Sequence, residues 1–156
     1  MRHRSVGRQI AGLGARLLAL AALLLGVRAS AAQDVDPVLA QMGAPYFERL
    51  CASCHGVAAT GHGSAGKRLR TPPADLTRIA ARRGGVFPAG EIAKFIDGRF
   101  DPQAGNARVM PIWGARLGEG VPEAGVGESL ARGKIAVLIE YLKSIQMRDA
   151  AIGGGR

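Results

Sequence analysis

The chain is predicted to be all-α, made of short helices joined by long loops. Apolar residues recur at helical spacing in separate windows, and the intervals between them are rich in glycine (23 of 156 residues) and proline (8). No β-rich alternating run precedes the only cysteine pair. Asp36-Pro37 has the form of an N-cap followed by proline at the first helical position. Val38, Leu39, Met42, Tyr46, Phe47 and Leu50 carry the helical pattern onward. Pro45 either kinks this helix or confines its secure part to residues from about Ala44. Residues 56–70 read as loop, with Gly56, Gly61, Gly63 and Gly66 among small residues and no period. Thr71-Pro72-Pro73 is rigid and extended, because each proline restricts its own φ and its predecessor.

Asp75 then caps a short helix carrying Leu76, Ile79 and Ala80, stopped at Gly84-Gly85. Pro88 opens another, with Ile92, Phe95 and Ile96 on one face and Gly98 as its end. Residues 99–128 return to Gly/Pro-rich sequence without a helical period. The last helix is the clearest: Ile135, Leu138, Leu142 and Ile145 fall at i, i+3, i+7 and i+10, with Tyr141 beside them. Residues 150–156 are expected to be a disordered tail.

Residues 1–32 read as a cleaved secretory signal. Arg2, Arg4, Arg8 and Arg16 form a basic start, residues 17–27 an apolar stretch, and Ala29-Ser30-Ala31 a small-residue cleavage site, with Ala32 an alternative. A retained anchor is the rival reading, but the uncharged run of 11 residues falls short of the roughly 20 that cross a bilayer. Residues 33–149 then form one domain in an exported, periplasmic protein. The signal holds 5 of the 21 Lys/Arg and none of the 12 Asp/Glu, so the remainder carries +4 rather than +9. Basicity is therefore mostly a targeting effect. With no basic stripe interleaved with aromatics, nucleic-acid binding is a poor inference. At 4% aromatic content, a chain of this size struggles to fill a core unaided, which an apolar cofactor would remedy.

Cys51-Ala52-Ser53-Cys54-His55 is the candidate site. C-x-x-C-H is the attachment signature of a c-type haem, with two thioethers to the porphyrin and the histidine on iron. A structural zinc site normally takes four Cys/His ligands, whereas Cys51 and Cys54 are the only cysteines and the histidines are just His3, His55 and His62. A thioredoxin-like dithiol expects a βαβ setting, and a disulfide across two residues is geometrically awkward. For the sixth iron position, Met110 lies in an irregular segment with Pro111 stiffening its exit. Met42 has a core role by default, Met147 ends the last helix, and Met1 is lost with the signal. His62, in Gly61-His62-Gly63, is the alternative nitrogen ligand but has the setting of an exposed loop tip.

Over residues 43–146 the chain resembles the class I monohaem cytochromes c of bacteria. Gly43 and Phe47 stand eight and four residues before Cys51, and Leu138 and Tyr141 match the pair on the last helix that crosses the first. Pro72-Pro73-Ala74-Asp75-Leu76-Thr77, Gly84-Gly85-Val86-Phe87-Pro88, Ile96-Asp97-Gly98-Arg99, Met110-Pro111-Ile112-Trp113-Gly114 and Tyr141-Leu142-Lys143-Ser144-Ile145-Gln146 resemble one subgroup. The resemblance implies the class I cytochrome c fold around one covalent haem c, with His55 and Met110 as axial ligands. It implies that a carbonyl at Pro72 (or Pro73) accepts from the His55 Nδ1–H, and that Trp113, with Arg99 a further candidate, lies near the propionates. Departures sit mainly in the loops: His62 where many relatives have an acid, Ser64 where many have proline, and the glycines and glutamates of residues 117–128.

The expected function is soluble electron transfer without bond-making, in a monomer that docks on redox partner proteins: a donor dehydrogenase or membrane complex, and an acceptor oxidase. A dedicated cytochrome subunit of a periplasmic dehydrogenase or respiratory complex is the alternative. A third reading is an enzyme or sensor in which Met110 gives way to a small ligand.

Overall fold

The structure, a computed structural model, describes residues 34–99, 109–123 and 125–147. The expected signal at 1–32 and tail at 150–156 lie outside the described residues. Helix α1 spans Pro37–Leu50. Its Asp36 carboxylate accepts from the Val38 and Leu39 N–H groups at 2.9 and 3.0 Å, so the predicted cap forms. Pro45 sits inside the helix without ending it. Pro45 and Gln41, whose carbonyl loses its helical donor to the proline, are both exposed, so water can serve that carbonyl.

A one-turn helix α2, Ala52–His55, follows directly. Three short 3-10 turns come next, at Gly66–Arg68, Leu76–Arg78 and Ala81–Arg83. Asp75 caps the second of these through the Thr77 N–H at 2.9 Å. The predicted stop at Gly84 is a left-handed residue (φ 68°). Helix α3, Ala89–Asp97, ends at Gly98 (φ 70°), also left-handed. Helices α4, Trp113–Arg116, and α5, Val126–Ser144, complete the described chain, and no strand occurs among the described residues.

Three expectations need correction. Phe95 is 55% exposed, whereas Ile96 is 6% exposed. The stripe of α3 that meets the core runs through Ala89, Ile92, Ala93 and Ile96, and Phe95 lies about 100° around the helix from Ile96. Residues 99–128 are not wholly irregular, because α4 interrupts them and α5 begins at Val126. The glycines there serve a close approach: a Cβ on Gly127 would stand 2.7 Å from the Gly118 carbonyl oxygen. Met42, assigned to the core, is 53% exposed.

The architecture rests on the crossing of α1 and α5. A Cβ at Gly43 would collide with the Val137 carbonyl oxygen and stand 2.8 Å from Tyr141 Cβ, so only glycine lets the backbones meet. Beside it the Phe47 and Tyr141 rings pack with centroids 5.0 Å apart, tilted by 37°. Phe47, Ile135, Leu138 and Leu142 are buried here, continuous with Ile79, Phe87, Ile96 and Leu117 from the intervening segments. Gln146 fastens the far end of α5. Its Oε1 accepts from the Ala80 N–H at 2.9 Å, and its Nε2 donates to the Leu76 and Leu142 carbonyls at 2.8 and 2.7 Å.

Two glycines on these helices should respond oppositely to alanine. Gly43→Ala is expected to cost about 3 kcal/mol through overpacking. Gly133→Ala, in mid-α5 with nothing within 4 Å of its added Cβ, should gain about 0.5–1 kcal/mol. Denaturant midpoints of the two variants check the signs.

Candidate functional site

The C-x-x-C-H stretch is one turn of backbone hung from the end of α1. The Cys51 N–H donates to the Phe47 carbonyl (2.8 Å), and the Cys54 and His55 N–H groups both donate to the Cys51 carbonyl at 3.1 and 2.9 Å. That geometry puts residues 51, 54 and 55 on one face, at i, i+3 and i+4. All three are half-buried, and the two thiols are not joined to each other. Burial, with the neighbouring Cys54 adding to it, pushes the Cys51 thiol up to about 11. Disulfide oxidoreductases lower their attacking thiol, and the shift at Cys51 has the opposite sign.

His55 is held by a single acceptor. Its Nδ1 lies 3.0 Å from the Ala74 carbonyl oxygen. A carbonyl can only accept, so Nδ1 carries a proton, and in the neutral ring that tautomer places the lone pair on Nε2. The acceptor is therefore neither Pro72 nor Pro73. Pro72 is exposed, and the Pro73 carbonyl faces Gly61, where an added Cβ would collide with it. The diproline stretch delivers the next carbonyl in line, that of Ala74, to the ring.

The loop after the turn is held to it by backbone hydrogen bonds. Gly61, Gly63 and Ala65 donate their N–H groups to the carbonyls of His55, Cys54 and Ser53 at 2.8, 3.0 and 2.8 Å. Every second loop residue thus meets the preceding carbonyl of the turn. Approach this close excludes side chains: a Cβ on Gly63 would strike the Ser53 carbonyl, and one on Gly66 the Cys54 carbonyl. Ala59 lies at the bend with φ 58°, its residue 1% exposed, and its carbonyl accepts from the Leu76 N–H at 2.8 Å.

Met110 and Trp113 are half-buried and pack against the same apolar core as Leu50 and Cys51. Trp113 opens α4, and the Arg116 guanidinium lies 5.7 Å from the centre of its ring. Arg99, considered for a propionate, instead directs Nε and Nη2 at the two Asp97 carboxylate oxygens, each at 2.7 Å. These hydrogen bonds hold the Asp97 carboxyl below its usual range, against an opposing push from burial. His62 is exposed, with Nδ1 3.2 Å from Thr60 Oγ1. Among the described residues, no three or more His, Cys, Asp or Glu side chains gather as a metal site.

Charge around the turn is uneven. Lys67, Arg68, Arg70, Arg78, Arg82 and Arg83 are all exposed, and Asp75 is the only carboxylate between residues 67 and 83. Arg83 pairs with Glu91 at 2.6 Å, and Arg82 Nη2 donates to the Asp75 carbonyl at 2.8 Å. Ten cations and eleven carboxylates make up the rest of the chain after residue 33, so the net positive charge belongs to this one segment. This segment holds the turn through Ala74, and Gly66, the residue just before it, lies against the Cys54 carbonyl. The charge spacing was visible in the sequence; its attachment to the turn was not.

Because Gly63 touches the turn through backbone, Gly63→Ala should lower stability by about 2 kcal/mol or more. Gly90→Ala, with open space around its added Cβ, should not destabilise. Thermal melts of the two variants distinguish a backbone cradle from an ordinary loop.

Comparison of the chain with family models, curated proteins and solved structures found no match.

Proposed function

We propose that this is a periplasmic electron-transfer protein with the class I cytochrome c fold, carrying one haem c on Cys51 and Cys54 with His55 and Met110 as axial ligands. The observation that carries the reading is the His55 ring: its Nδ1–H bonded to the Ala74 carbonyl, its Nε2 left as donor, two unjoined thiols on the same turn. That donor set fits the group. Two thiols suit two thioether links, an Nε2 lone pair suits iron, and a carbonyl behind Nδ1 raises the basicity of the ligating nitrogen.

When bound, haem supplies a one-electron Fe(III)/Fe(II) couple. The polypeptide retains it, through Cys51 and Cys54, and orients the imidazole, through Ala74. Met110, on the core surface shared with Cys51, offers a thioether that favours a relatively high potential and closes the iron to small ligands. No bond-making step is assigned to the chain. The export pattern of residues 1–32 supports a periplasmic site, where donor dehydrogenases or membrane complexes and acceptor oxidases are the partners. Docking is weak and fast, with an interface below roughly 1,200 Å². The cations at 67–83 favour partners with an acidic face.

Two measurements test this. After maturation in a competent host, the purified protein should show a covalent haem spectrum. Cys51→Ser/Cys54→Ser should abolish the colour, and Met110→Ala should keep it while losing the red-edge sulfur-to-iron band of the ferric state. A colourless wild type overturns the reading. Electron exchange with ferrocyanide, an anionic probe, should slow as ionic strength rises, and Lys67→Glu/Arg68→Glu/Arg70→Glu should reverse that dependence.

A further inference from the structure

We propose that the Asp97–Arg99 pair is a positioning device for the Met110 arm, setting how firmly the methionine holds the sixth iron position. The proposal rests on the haem reading above and goes beyond it by assigning that task to residues well removed in sequence. Met110 lies three residues before α4, and α4 is only four residues long. One helical turn gains too few hydrogen bonds to offset its own ordering, so α4 needs anchors from elsewhere. Besides the packing of Trp113 on the core, two further contacts hold it. At its start, Gly114 rests directly on the ion pair: an added Cβ would collide with Asp97 Oδ1 and come within 2.5 Å of Arg99 Nε. Just past its end, Lys134 of α5 donates Nζ to the Leu117 carbonyl at 2.9 Å, and Leu117 is buried.

The pair is built for rigidity. Asp97 is the last residue of α3, and Gly98 turns the chain so that the Arg99 N–H also reaches Asp97 Oδ1, at 3.2 Å. The guanidinium then meets the carboxylate with two parallel bonds of 2.7 Å. The Asp97 side chain is 11% exposed, against 69% for that of Glu91 in its surface pair with Arg83. A two-point fork in so sheltered a place defines a surface, and Gly114 allows α4 to lie flush on it. Lysine would keep the charge and lose the fork.

The test uses holoprotein and added imidazole, which competes with Met110 for ferric iron. Asp97→Asn and Arg99→Lys are expected to retain covalent haem, weaken the red-edge band and raise imidazole affinity about tenfold. Glu91→Gln should leave imidazole affinity within twofold of wild type. Arg99→Lys keeps an ion pair and covers the case in which Asp97→Asn does not mature. If either variant loses stability in denaturant while imidazole affinity stays within twofold of wild type, the pair is merely structural and the proposal is overturned. A wild type with haem but without the red-edge band removes Met110 ligation itself and overturns both this inference and the reading beneath it.

Discussion

The contact between Gly43 and the Val137 backbone governs this molecule. It brings α1 and α5 close enough for Phe47 and Tyr141 to stack alongside, and it sets the direction in which α1 ends. Cys51 is the C-cap of α1, so the cysteine turn inherits its orientation from that crossing. The other end of α5 is tied through Gln146 to the segment that supplies Ala74. One helix crossing thus disciplines both sides of the site: the thiols through α1, the imidazole's acceptor through residues 74–83.

What could be read from the residues follows from where the information is written. Side-chain periodicity and caps are local, so Asp36, Asp75, Gly84, Gly98 and the apolar stripe of α5 were legible. The crossing was expected from the resemblance, which matches Gly43 and Phe47 on one helix with Leu138 and Tyr141 on the other, and the close approach at Gly43 is its physical reason. Backbone hydrogen bonds leave no such trace. Residues 56–70 have no period because their order comes from N–H groups that any residue possesses, with glycine recording only the lack of room. The His55 acceptor, expected at Pro72 (or Pro73), was misplaced by one or two residues for the same reason: any carbonyl in an extended stretch is chemically eligible, and Gly61 against Pro73 decides among them.

The helix α4 illustrates a different limit. Four residues carry no usable periodicity, and their anchors, Asp97, Arg99 and Lys134, come from α3, the residue pair beyond it, and α5. The Asp97–Arg99 pairing left no mark in the linear sequence, where an acid two residues from an arginine has no fixed geometry. Burial changes that. A nearly enclosed carboxylate needs a partner, and the guanidinium two residues on is the group placed to meet it.

Ala59 narrows the substitutions open to the chain at one point. A left-handed backbone costs an L-residue roughly 1–2 kcal/mol, which glycine would recover, while the enclosed methyl contributes about 0.8 kcal/mol that glycine would forfeit. The opposing effects are of similar size, so alanine and glycine are near-equivalent occupants. Any bulkier group meets both the wrong torsion and a filled interior. Relatives of this chain should therefore drift between two residue types at the bend, a narrow alphabet imposed by backbone geometry alone.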